Sequence, residues 1–212
     1  MHTKKILTGG KKLSEAKKAL IMIHGRGADA NDILGLAKYL AVSDFALLAP
    51  EATNNTWYPQ SFLAPKSLNE PWLSSALSMI KETVKEIVAA GIPESSIYFL
   101  GFSQGACLTL EYVAQNATKY GGVVAFTGGL IGDKIDRSIY KGDFAKTPVF
   151  IGTSNPDPHV PVERVNATAN ILSEMNASVS LKVYENMGHT INNDEILQAN
   201  SLIFAASSTV NK

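Results

Sequence analysis

The chain has 212 residues, 45% hydrophobic and 18% charged, a balance that excludes a disordered or fibrous protein and predicts one globular domain over residues 1–212. Lysine plus arginine equals aspartate plus glutamate at 19 each, so no basic field exists to hold nucleic acid by its phosphates. The lone Cys107 can close no internal disulfide and rules out a cysteine-based zinc cluster, which favours a reducing, cytoplasmic setting.

The first residues lead into no signal-peptide-like apolar run, and secretion is not expected. The longest apolar runs, 19–23, 45–49 and 202–206, are far shorter than the ~20 residues a spanning helix needs, so no stable membrane insertion is expected either. Residues 5–8 and those after Gly9-Gly10 read as a short edge hairpin. Its lysines, Lys4, Lys5, Lys11, Lys12, Lys17 and Lys18, would discourage further strand pairing. Residues 19–23 form a continuous apolar run, a buried strand that stops at His24-Gly25. Ile33, Leu36, Ala37 and Leu40 make a helical stripe over 29–40, and 45–49 is the next strand. Residues 51–69 carry Trp57, Tyr58, Phe62 and Leu63 among prolines and asparagines without a period, which reads as a long functional loop. Pro71 opens a helix that runs through Leu73, Leu77, Ile80, Val84, Ile87 and Val88 to Gly91. A strand at 96–100, a helix at 104–116, strands at 122–127 and 148–152, a helix at 161–176, a strand at 178–184 and a helix at 194–206 complete the chain. This alternation predicts an α/β fold with a mostly parallel central sheet and helices on both faces.

Gly101-Phe102-Ser103-Gln104-Gly105 matches G-x-S-x-G between a predicted strand and a predicted helix, the context of a nucleophile elbow. The spacing is mechanical: a serine at a sharp turn is approached closely on both sides, and the glycines remove side chains that would collide. Such a serine needs a base, and the base needs an orienting carboxylate. Of the four histidines, His2 lies at a terminus expected to fray and His24 ends a strand, where it shapes a loop. His189 sits in a Gly-containing loop between the last strand and the last helix, where the order Ser, Asp, His places the base. His159 reads as a loop histidine that could also face the cleft. Asp157 follows the 148–152 strand within a short loop, at a strand's carboxyl end where sites form, although Asn155-Pro156-Asp157-Pro158 is also a turn sequence. The oxyanion needs two backbone N–H groups: Gln104, after the nucleophile, and Arg26, in the Gly-rich loop after the first central strand. The Arg26 side chain reads as an exposed loop arginine, with contact to an anionic substrate group as the alternative. Cys107 reads as a small core residue. Trp57, Tyr58, Phe62 and Leu63 either line an acyl pocket or fasten the loop to the core.

On His24-Gly-Arg-Gly-Ala-Asp29, Ala90-Gly-Ile-Pro93, Gly101-Phe-Ser-Gln-Gly105, Asp157-Pro-His-Val-Pro161 and Gly188-His189, the chain resembles the phospholipase/carboxylesterase family of α/β-hydrolases, which includes bacterial carboxylesterases and acyl-protein thioesterases. The resemblance runs over most of the chain. It implies an α/β-hydrolase fold and a serine hydrolase without cofactor or metal, in which Ser103 is the nucleophile, His189 the base and Asp157 its orienter, with the Arg26 and Gln104 amides as oxyanion hole. It also implies carboxylic ester or thioester substrates. Where the family often has Gly-Asp before Asp-Pro-x-Val-Pro, this chain has Gly152-Thr-Ser-Asn-Pro156 and lacks that extra carboxylate. The Trp57–Phe62 stretch looks closer to the bacterial carboxylesterases. The main expectation is hydrolysis of small esters with short to medium acyl chains. A lysophospholipid or acyl-protein thioester substrate is the close alternative, and a non-catalytic ligand-binding module the distant one. An apolar pocket rim could double as a homodimer interface.

Overall fold

The apolar run Ala19–Ile23 forms β2, every residue of it buried, in the interior of a seven-stranded sheet. The computed structural model describes residues 1–205. Around β2 the order is β1 (Ile6–Gly10), β3 (Ala46–Pro50), β2, β4 (Ile97–Phe102), β5 (Gly122–Phe126), β6 (Pro148–Asn155) and β7 (Ser178–Glu185). All neighbours are parallel except β1, which runs antiparallel to β3 with Ile6 opposite Pro50. The chain has the α/β-hydrolase architecture.

Alternation along the strands divides the core. Ile21, Ile23, Phe99, Val123, Ala125, Val149 and Ile151 pack in one layer with residues of helices α2 (Trp72–Ala89), α3 (Gln104–Gln115) and α4 (Val162–Glu174). Leu20, Met22, Leu100, Val124, Phe126 and Phe150 pack on the other face with Ile33 of α1 (Ala30–Leu34), Ala199 of α5 (Asn193–Ala199) and Phe204. Helices thus cover both faces, as a largely parallel sheet requires. Among the described residues no helix is long and apolar enough to cross a membrane.

Several expectations are corrected. No hairpin forms around Gly9-Gly10: β1 is an edge strand, but its partner is β3, and residues 11–18 turn back with Leu13 and Ala16 against the core. The predicted 29–40 helix is a short α1, capped by Asp29, followed by a 3₁₀ turn at Gly35–Tyr39. The closing helix divides into α5 and a π-helical turn at Asn200–Phe204, and the predicted end at residue 206 lies outside the described residues. The predicted 148–152 strand continues to Asn155, paired residue by residue with β7 as far as Glu185. His2 does not fray. Its Nε2 lies 2.8 Å from Trp57 O, its Nδ1 accepts from Thr53 N–H, and its ring packs against Trp57 and Trp72.

Candidate active site

Between β4 and α3 the chain turns at Ser103 alone, with φ 54° and ψ −119°, a conformation that costs a non-glycine residue free energy and persists only where its surroundings enforce it. Ser103 N–H donates to Phe126 O on β5. A Cβ at Gly101 would lie 2.4 Å from Gly105 O, and one at Gly105 would lie 2.2 Å from Ile23 O. Both glycines are therefore required by backbone contact, and the elbow is pressed against the end of β2.

The turn aims the Ser103 hydroxyl at His189, whose Nε2 is 2.8 Å from Oγ. His189 Nδ1 is 2.9 Å from Asp157 Oδ2. An ionised carboxylate only accepts, so the proton sits on Nδ1 and Nε2 is left to accept from the serine. The other carboxylate oxygen, Oδ1, accepts from His159 N–H at 2.8 Å and Val160 N–H at 2.9 Å. Burial works against the charged form of Asp157, but these amides and the imidazole outweigh it and hold the carboxyl below its usual range. The His189 loop is fastened to the end of β6, with Asn186 N–H donating to Asn155 O and Gly188 N–H to Ser154 Oγ. The His189 ring packs against Phe102 and the edge of His159, centroids 5.3 and 4.9 Å away. His159 thus does face the cleft.

Gln104 is the first residue of α3, so its N–H has no intrahelical acceptor. In the loop after β2, Gly27 N–H donates to Asn55 O and Ala28 N–H to Gly25 O, while Arg26 N–H has no protein acceptor among the described residues. Among the described residues two amides from two elements thus remain without a protein acceptor beside Ser103, and such a pair is able to stabilise a developing oxyanion. His24 shapes this loop: buried, it accepts from Ala52 N–H on Nε2, and its carbonyl accepts from the Trp57 indole. Burial lowers its tendency to protonate.

A cavity of about 660 Å³ opens over Ser103 and His189, with Tyr58, Phe62, Leu63, Cys107, His159 and Val160 among its walls. Three of the four expected pocket residues line it. Trp57 does not: its indole N–H is satisfied by His24 O in the core, and its ring stacks near His24 and His2. The Arg26 side chain is exposed as expected but is bound to the carbonyls of residues 58–60. Cys107 is buried at the cavity wall, its Sγ accepting from Gly129 N–H, and burial pushes its thiol up to about 12. At neutral pH it is no competing nucleophile.

Two carboxylates have roles that the sequence does not announce. Glu111, fully buried on α3, accepts from Lys66 Nζ, Gln115 Nε2, Ile131 N–H and the Tyr140 hydroxyl, tying the long loop and residues 131–140 to one helix. A single charged residue in an otherwise uncharged helix is the one signal of it in the sequence. Glu195, on α5, closes a capping box with Asn192 and fills the space left by Gly152, where a Cβ would lie 2.2 Å from its Oε1. Among the described residues that oxygen has no hydrogen-bond partner, and burial raises the carboxyl to about 7.

The Phospholipase/Carboxylesterase family profile matches residues 9–206 of the chain. The crystal structure of a phospholipase/carboxylesterase from Dyadobacter fermentans superposes with a TM-score of 0.95 at 57% identity, covering 95% of this chain and 97% of that one. Acyl-protein thioesterase 1 of Saccharomyces cerevisiae is 28% identical over 214 residues, 91% of this chain and 94% of its own. A carboxylesterase from Bacillus cereus shares the fold with a TM-score of 0.75 at 22% identity, over 93% of this chain and 92% of that one.

Proposed function

The chain belongs to the phospholipase/carboxylesterase family of α/β-hydrolases, an esterase and thioesterase family, and from that premise we propose that it hydrolyses small carboxylic esters with short to medium acyl chains through an acyl-enzyme. Ser103 Oγ attacks the ester carbonyl as His189 Nε2 takes its proton, and the Arg26 and Gln104 amides stabilise the tetrahedral oxyanion. His189 then returns the proton to the leaving alcohol. Water repeats the attack on the acyl-enzyme, with His189 again as base, and releases the acid. Asp157 holds the imidazole in the required tautomer throughout.

The observation that carries this reading is the continuous chain from Ser103 Oγ through both nitrogens of His189 to Asp157 Oδ2. A cavity walled by Phe62, Leu63 and Val160 supports a short to medium acyl group. A chain with a single cysteine, buried and free of any disulfide, supports a cytoplasmic location. A p-nitrophenyl ester series from acetate to palmitate tests the proposal. Wild type should peak at short chains, and Ser103→Ala should lose turnover by about 10⁴-fold or more. Intact turnover by Ser103→Ala would sink the mechanism. The similarity to a yeast acyl-protein thioesterase supports one second reading, hydrolysis of long acyl thioesters or lysophospholipids, and an optimum at long chains would favour it. A folded wild type that neither turns over nor accepts a fluorophosphonate label would leave only ligand binding.

A further inference from the structure

The loop carrying the Arg26 amide is soft by composition. Arg26 and Gly27 are exposed, Gly25 and Gly27 flank the arginine, and Gly27 adopts φ +80° with open space around it. Yet an oxyanion donor must stand within about 2.7–3.1 Å of where the charge will form. What stiffens this loop is the segment at residues 52–60. Gly27 N–H donates to Asn55 O at 2.8 Å, Asn55 Nδ2 to Ala28 O at 2.9 Å and the Trp57 indole to His24 O at 2.9 Å. The Arg26 guanidinium adds three bonds to consecutive carbonyls: Tyr58 O at 2.9 Å, Pro59 O at 3.0 Å and Gln60 O at 2.7 Å. From the elbow, Gln104 Oε1 accepts from Trp57 N–H at 2.9 Å, and its Nε2 donates to Tyr58 O at 2.9 Å. Tyr58 O thus accepts from both side chains.

Arg26 and Gln104 are also the two residues whose backbone N–H groups face the oxyanion position in the proposed mechanism. We infer that their side chains are positioning residues: braced against residues 57–60, they fix the spacing of their own backbone amides and make this cavity wall a permanent part of the oxyanion site rather than a lid. The inference rests on the proposed esterase activity. Arginine suits the task because a planar fork can serve several acceptors at once, which the point charge of lysine cannot.

The test compares Arg26→Ala, Arg26→Lys and Gln104→Met with wild type on one short-chain ester. Affinity for an alkylboronic acid, whose tetrahedral Ser103 adduct mimics the oxyanion, is measured alongside. All three variants keep the backbone amides. For Arg26→Ala we expect kcat to fall about 10- to 100-fold with KM within about threefold, and boronate affinity to fall in parallel. Added guanidinium ion at non-denaturing concentration should restore part of the Arg26→Ala loss, and Arg26→Lys should be intermediate. A purely structural role would not respond to guanidinium. Unchanged kcat and boronate affinity, or a rise in KM alone, would overturn the inference. Thermal melts establish folding, and if Arg26→Ala does not fold, Gln104→Met and Arg26→Lys decide the question by the same two measurements. A wild type that neither turns over nor takes a fluorophosphonate label overturns the esterase activity and this inference together. An active wild type matched by its strap variants overturns this inference alone.

Discussion

The two sides of the cleft are held in place by different means. The wall at residues 57–63 hangs from long side chains anchored elsewhere: Arg26 and Gln104 grip residues 57–60, Asn69 accepts from Gln60 N–H, and Lys66 reaches the buried Glu111. The opposite side, which carries Asp157 and His189, grows out of paired strands. β6 and β7 stay in register to Asn155 and Glu185, and short local bonds to Ser154, Asn155 and the Asp157 carboxylate hold the two loops beyond them. A wall hung from side chains can be loosened one residue at a time, whereas a wall continuous with the sheet yields only where a buried polar group is imperfectly paired.

The largest expected effect lies on the strand-borne side. Asp157→Asn should lower kcat by about 10⁴-fold while leaving the fold intact, because an amide in that place permits the wrong imidazole tautomer. Steady-state kinetics with a thermal melt check both halves. A loss below about tenfold would show that the loop itself, not the carboxylate, orients His189. Next comes the hub of the hung wall. Glu111→Ala leaves Ile131 N–H and the Tyr140 hydroxyl without their acceptor and Lys66 without its anion, and should destabilise the protein by about 3 kcal/mol. Chemical denaturation measures it, and a change under about 1 kcal/mol would mean the wall is held mainly by Arg26 and Gln104. Smaller still, Leu63→Ala widens the cavity without touching a strap, so the preferred acyl length should move up by a few carbons with about tenfold or less change in turnover of short esters. An unaltered chain-length profile would place the acyl group elsewhere.

The same contrast explains which elements are legible in the sequence. β2, β4 and the elbow are legible because their signals are local: unbroken apolar runs, and glycines two residues either side of Ser103. The order Ser103, Asp157, His189 is legible because each follows a strand that can be read on its own. The partner of β1 is not legible, since strand pairing is a nonlocal choice and β3 lies some 40 residues away in sequence. Nor is the division between Trp57, sunk in the core, and Tyr58, at the cavity. Neighbours in an aperiodic loop carry no face assignment, and only the acceptor at His24 O decides where the indole goes. The anchoring of His2 escapes a local reading for the same reason, its partners being Thr53 and Trp57.

Among the described residues the strand-borne side has one ionisable group with an unpaired buried oxygen, and it gives that side a pH dependence. Glu195 sits behind β6 with Oε2 accepting from Asn192 N–H and Oε1 unpartnered among the described residues, so burial favours the neutral acid and raises the carboxyl to about 7 from an ordinary 4.5. A raised folded-state value means the native protein binds a proton that the unfolded chain has released. Between pH 4.5 and about 7, stability therefore falls as pH rises; the contribution is whole below the lower value and lost above the higher. Glu195→Gln keeps an acceptor for Asn192 N–H and removes the titration. Its melting temperature should fall less than that of wild type between pH 5 and pH 8, a differential in stability of about 3 kcal/mol at most. Because Asn192 closes the loop that carries His189, ionisation of Glu195 should also loosen the base, and the variant should hold its kcat better above neutrality. Parallel melting curves for the two proteins across that range would remove Glu195 as the source of a pH dependence on the strand-borne side.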